Sequence, residues 1–129
     1  MARSDRRRVV VTGVGLVSPL GVGTRTISVA NAVNITSGVT TTSNFVPAGA
    51  TAVVANVTIT QTVGAGYIAM NPGGNTTVTA SLANWSASGT TVANGITLSL
   101  NTSRQLTAIV GGAPGCQTNF IVDVFGYYL

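Results

Sequence analysis

Residues 51–60 read TAVVANVTIT, and this stretch decides the fold class. Apolar and small polar side chains alternate along it, so that Val53, Ala55, Val57 and Ile59 share one side of an extended chain. A period of two residues is typical of a half-buried β-strand, because successive side chains point to opposite faces. We therefore predict a strand here whose Val53 side packs in the core.

The same pattern recurs on both sides of this stretch. Val, Ile and Thr are abundant, few windows have a helical period, and turn signals such as VPAG, NPGGN and GGAPG separate the extended segments. The predicted strands cover residues 8–17, 25–31, 51–60, 66–71, 77–87, 91–100, 105–110 and 119–128. The predicted fold class is all-β: an antiparallel β-sandwich, jelly-roll-like, with about eight strands and almost no helix.

The last predicted strand, FIVDVFGYY, is apolar on both faces except at Asp123. Such a strand either lies centrally with a layer on each side, or presents its second face to another subunit. An unpaired carboxylate is costly to bury, so we expect Asp123 to reach Arg104, Arg25 or backbone amides.

Charge is scarce and concentrated at one end of the chain. Only 6% of the residues are charged, against roughly a quarter in an average soluble domain. Five of the eight charged residues lie in MARSDRRR, and the rest of the chain holds only Arg25, Arg104 and Asp123. A nearly neutral surface favours association. It suits either a secreted, glycan-decorated or wall-anchored domain, or a subunit covered by copies of itself.

Several function classes lack the residues that they need. The chain has no histidine, one cysteine and two acidic residues, so acid–base catalysis, an internal disulfide and a multi-cysteine metal site are not expected. We predict no enzyme activity and no cofactor, with Cys116 as a structural thiol. Without a basic stripe to follow phosphates we expect no nucleic-acid partner. The sequence has no apolar run of about 20 residues, so we predict no membrane-spanning helix.

Carbohydrate binding is the main alternative function. Sugar platforms use exposed aromatic rings, and Trp85 with Tyr67 is the pair that we consider for one, with cell-wall glycans as the ligand. Exposure of Trp85 beside a second ring would favour binding, and burial of Trp85 would favour a scaffold or an assembly.

Residues 45–129 resemble a β-rich domain of secreted and cell-wall-associated actinobacterial proteins. The matching segments are VPAGATAVVANVTIT, GYIAMNP, TASLANWSASGTTVANGITLSL and FIVDVFGYYL. The segment GGAPGCQTN departs from the shorter turn such domains often have before the last strand. The resemblance implies an extracellular or cell-surface structural, adhesive or spacer module, and it implies no enzymatic activity.

The opening RRRVVVTGVGLVSPLGVGT, residues 6–24, resembles the amino-terminal strand of β-ketoacyl-acyl carrier protein synthases. The likeness covers that fragment alone, and a chain without histidine lacks the catalytic residues of the family. We divide the chain into a basic segment with an apolar strand and a glycine joint, 1–23, and one β-sandwich domain, 24–129. The apolar strand is expected to pair at a sheet edge of its own domain or of another copy. The candidate assembly residues are Val9, Val10, Val11, Val14, Leu16 and Val17.

Overall fold

The computed structural model describes residues 18–34 and 37–129, and this part of the chain consists of β-strands and loops without a helix. The ten strands are β1 (Ser18–Gly21), β2 (Gly23–Ser28), β3 (Ala32–Val33), β4 (Thr40–Thr42), β5 (Ala52–Val63), β6 (Gly66–Pro72), β7 (Ala83–Trp85), β8 (Val92–Ser99), β9 (Gln105–Gly112) and β10 (Gln117–Tyr128).

The strands form two four-stranded sheets and one small hairpin. Sheet I has the order β1-β10-β5-β8, sheet II has the order β2-β9-β6-β7, and β3 pairs with β4. Every pairing is antiparallel. The all-β, antiparallel, sandwich-like fold predicted from the sequence is confirmed.

The core lies between the two sheets. Val53, Ala55, Val57 and Ile59 of β5 are fully buried, so the predicted inward face of this strand is confirmed. Sheet II contributes buried side chains that include Ile68. Burial of apolar surface is the main contribution that favours folding, at roughly 25 cal/mol per Å². Most of this stabilisation comes from the central strands, which carry most of the fully buried side chains.

The chain passes from one sheet to the other at its amino-terminal end. β1 lies at the edge of sheet I, β2 lies at the edge of sheet II, and Val22 alone separates them. Gly23, the first residue of β2, has a φ of 145°. A φ in this range is accessible to glycine and is disfavoured for residues with a Cβ, which explains a glycine at this joint.

Two of the predicted strands, 8–17 and 77–87, are not confirmed. The strand predicted at 8–17 lies outside the described residues. The strand predicted at 77–87 is wrong over most of its length, because only Ala83–Trp85 pairs with a neighbour. The side-chain amide of Asn71 donates to the carbonyl oxygens of Asn75 (3.1 Å) and Thr77 (2.7 Å), and these local bonds replace a strand ladder.

Candidate assembly surface

One edge of sheet I is formed by β8. Among the described strands β8 pairs only with β5, which leaves the other side of its backbone without a strand partner along eight residues. Natural proteins guard exposed edges with charges, prolines or bulges. The segment VANGITLS contains neither a charge nor a proline, and its pairing with β5 runs without a register shift. The side-chain amide of Asn94 on this strand donates to the carbonyl oxygen of Leu82, which lies beside the edge.

The opposite edge of sheet I is only partly covered. β1 pairs with residues 117–120 of β10, and within the described part of the chain no strand lies beside residues 121–128 on that side. Phe125 and Tyr128 are 41% and 48% exposed. Asp123 is the one charge on this stretch, and a register shift against β5 near Phe125 is its one irregularity. This edge is more protected than β8 but is also incomplete.

The polar surface of the sandwich is made by hydroxyl and amide groups. The hydroxyls of Thr60 and Thr91 lie 2.9 Å apart, and the side-chain amide of Asn119 donates to Oε1 of Gln61 at 2.6 Å. Such neutral contacts satisfy hydrogen bonds without creating long-range repulsion between molecules.

The candidate residues Val9, Val10, Val11, Val14, Leu16 and Val17 lie outside the described residues. The residues that follow them, Ser18–Gly21, form β1 and pair with β10 of the sandwich. Leu20 of this strand is part of the core. The joint proposed at residues 21–23 thus coincides with the crossing between the two sheets, and β1 precedes it as a strand of the sandwich.

Arg104 fastens a loop to the sandwich. Its Nη1 donates to Oδ1 of Asn44 and to the carbonyl oxygen of Val46, both at 2.8 Å. The predicted pairing of Arg104 with Asp123 is not formed, because the guanidinium is used at this loop. The sequence did not lead us to predict Asn44 as a partner of Arg104. Asn44 has a φ of 51°. An Asn before an apolar residue in a turn was the signal that could have identified it.

Asp123 lies in the middle of β10, opposite Asn56 of β5. Its neighbours Val122 and Val124 point into the core, so Asp123 points to the outer face of sheet I, where it is half-buried. Arg25, the other predicted partner, lies on β2 in sheet II. Burial desolvates the Asp123 carboxylate and raises its pKa above the ordinary value.

The raised pKa predicts an unusual dependence of stability on pH. The folded state holds the Asp123 proton more tightly than the unfolded state, so the stabilisation is present below the unfolded pKa of 3.8 and is lost as the pH rises through the folded pKa. Urea denaturation should give a higher free energy of unfolding at pH 3 than at pH 7, and Asp123→Asn should be more stable than the natural chain at pH 7.

The control for this experiment is Asp5→Asn, which removes the only other acidic side chain. The pH dependence should persist in Asp5→Asn and disappear in Asp123→Asn. A pH dependence that follows Asp5 instead would show that the buried carboxylate is not its source.

The predicted aromatic platform is not formed. Trp85 is only 4% exposed and packs in the core, while Tyr67 lies opposite Asn84 and Gly111 on the other face of sheet II. The indole Nε1 of Trp85 is buried without a hydrogen-bond partner. Residues on opposite faces of one sheet cannot stack on the same sugar, so this pair offers no binding surface.

An open groove of about 250 Å³ lies where β6, β8 and residues 79–82 meet. Its apolar lining comes from Met70, Leu82, Ile96 and Leu98, and its polar lining comes from serine, threonine and asparagine side chains. No aromatic ring lines it.

Reactive side chains are isolated in the described part of the chain. Cys116 is buried, with its Sγ 3.5 Å from the carbonyl oxygen of Gly111. Residues 18–34 and 37–129 contain no cluster of three His, Cys, Asp or Glu that could hold a metal ion. Nor does a helix capable of crossing a membrane occur in those ranges.

Comparison with known proteins leaves the family open. The chain matches no protein-family model, and no curated protein is significantly similar to it.

Proposed function

We propose that the protein is a non-enzymatic structural subunit of the cell surface, which assembles with copies of itself by strand addition into a filament or a surface layer. The observation that carries this proposal is the lack of strand partners at the edges of sheet I in the described part of the chain. Among the described strands both of its lateral edges are incomplete, and the β8 edge has no charge, proline or bulge.

A free sheet edge is a row of backbone N–H and C=O groups that form hydrogen bonds with water. A strand that pairs with the edge takes the place of this water. The apolar segment VVVTGVGLV, residues 9–17, has the composition of such a strand. A body with Arg25, Arg104 and Asp123 as its only charges offers little repulsion between copies. An apolar segment that can be donated, a free edge that can accept it and weak repulsion between copies together favour self-association.

A donor strand and an acceptor edge on different parts of the molecule form a heterologous contact. Such contacts repeat from copy to copy and give a ring or an open filament. The surface rich in threonine, serine and asparagine, and the resemblance of residues 45–129 to wall-associated domains, support an extracellular or cell-surface location.

Binding to cell-wall glycans is supported less well. It would have to use the groove beside β8, which lacks the ring that sugar stacking requires. The buried Trp85 removes the one aromatic candidate that the sequence offered.

Light scattering and electron microscopy of the full chain test the proposal. Mass should rise with protein concentration, and the particles should be filaments or layers. Val14→Lys combined with Leu16→Lys should return the protein to monomers, because charged side chains oppose pairing at an edge.

The matched control is Val39→Lys, which places a lysine at a position that is already 62% exposed outside both sheets. It should assemble like the natural chain. A natural chain that stays monomeric at every concentration would refute the proposal, and assembly of the double lysine variant would refute the role of the amino-terminal strand.

A further inference from the structure

β1 is attached to its own sandwich by a small contact and a short joint. Among the described strands its four residues pair only with β10, and it contributes Leu20 to the core. Val22, the single residue between β1 and β2, is 61% exposed. Gly23 holds a φ of 145° where the chain crosses to sheet II. Short joints under conformational constraint favour exchange of the strand that they carry.

Beyond its pairing with β1, β10 has an edge that no described strand covers, and this edge is about as long as the segment preceding β1 in the sequence. β1 is antiparallel to β10 with Ser18 opposite Phe120, so a strand continuing towards the amino terminus meets β10 from Ile121 onwards. Residues 9–17 number nine and residues 121–128 number eight, or about 30 and 26 Å of extended chain at about 3.3 Å per residue.

The side chains on the two segments are also compatible. A strand that kept the register of β1 would bring Leu16 opposite Val122 and Val14 opposite Val124, and both valines of β10 point into the core. The same register would bring Gly15 opposite Asp123, where glycine has no side chain to crowd the one charged position of this edge. Paired residues on adjacent strands point to the same face, which brings apolar side chains together at the rim of the core.

From these observations we propose that β1 and the segment before it are exchanged between copies, with Val22 and Gly23 as the hinge and the β10 edge of the next copy as the acceptor. This inference rests on the proposed assembly and specifies its contact. The exchanged strand makes the contacts that the closed strand makes, so exchange costs little beyond association itself. When each copy gives its strand to one neighbour and receives a strand from another, the contact repeats into a ring or an open chain.

A cysteine pair across β1 and β10 tests the exchange. Gly21 lies opposite Gln117, and a Cβ at Gly21 would meet nothing closer than the carbonyl oxygen of Cys116 at 3.8 Å. Gly21→Cys with Gln117→Cys, in a Cys116→Ala background, should form a disulfide because directly paired residues have a suitable Cα separation. Oxidised assemblies should run as a ladder of covalent oligomers on a non-reducing gel.

The matched control keeps Gln117→Cys and moves its partner to β5. Val63 lies opposite Gln117 on the other side, and both belong to strands that stay within one copy. Val63→Cys with Gln117→Cys should therefore run as a monomer from the same assemblies. Gly23→Ala should increase the assembled fraction several-fold, since a Cβ there meets no neighbour and its penalty comes from the φ of the closed joint.

Three results would count against the exchange, and they are distinguishable. Assemblies in which Gly21→Cys with Gln117→Cys runs as a monomer would overturn the exchange and leave self-assembly standing, with the β8 edge as the contact. An unchanged assembled fraction in Gly23→Ala would overturn the hinge. A protein that forms no assemblies would overturn the proposed function itself, whatever its disulfides.

Discussion

Replacement of Phe120 by alanine is expected to lower the free energy of unfolding by about 3–5 kcal/mol, the range for deletion of a fully buried aromatic side chain. Phe120 is the largest fully buried side chain among the described residues, and it lies on β10 where β1 and β5 flank it. Strands on both sides limit how far the backbone can relax into the cavity. Urea denaturation followed by circular dichroism measures the change.

Phe125→Ala is the matched control, because it makes the same chemical change five residues further along the same strand. Phe125 is 41% exposed and lies at the irregularity in the pairing with β5. Its loss should cost about 1–2 kcal/mol, since much of the Phe125 ring is already in contact with water and its removal leaves no closed cavity. Equal losses for the two variants would mean that β10 does not present Phe120 to the core.

Replacement of Gly112 by alanine is the second large expected effect, about 2–6 kcal/mol. Gly112 ends β9 with a φ of 136°, and a Cβ there would lie 2.5 Å from Cα of Gly66 and 2.6 Å from the carbonyl oxygen of Ala65. Backbone strain and overpacking each cost about 1–3 kcal/mol. Both obstacles are backbone atoms of β6 and its turn, so no side-chain rotation relieves the overlap.

Gly95→Ala provides the comparison for Gly112→Ala. A Cβ at Gly95 meets nothing within 4 Å, and its φ is not in the positive range. Thermal or urea unfolding should leave this variant within about 0.5 kcal/mol of the natural chain, as is usual for surface substitutions. A Gly112→Ala protein as stable as Gly95→Ala would contradict the close approach of β9 to β6.

The fold class could be predicted because alternation is a local signal. Val53 and Ile59 share a face because their spacing in sequence is even, and Phe120 and Asp123 lie on opposite faces because their spacing is odd. The order of strands within the sheets could not be predicted in this way. That β8 ends sheet I while β10 lies inside it depends on pairings between residues distant in sequence, which periodicity does not encode.

The candidate contacts were harder to predict than the strands. The segment 77–87 has a strand composition, but Asn71 and Asn75 make local side-chain bonds that compete with pairing. Trp85 was a candidate ligand-binding ring, yet the pairing of Trp85 with Gly66 turns it inward. Arg104 was one of the alternative partners expected for Asp123, and it instead donates to neutral oxygens of a loop.

The inner position of β10 also has a consequence for the time at which the protein folds. β10 is the last of the described strands in sequence, and it holds β1 and β5 together in sheet I. During synthesis, at about 5–20 residues per second, sheet I cannot close until residue 128 has left the ribosome. Until then β1 lacks the strand that it pairs with, and β5 is paired on one side alone.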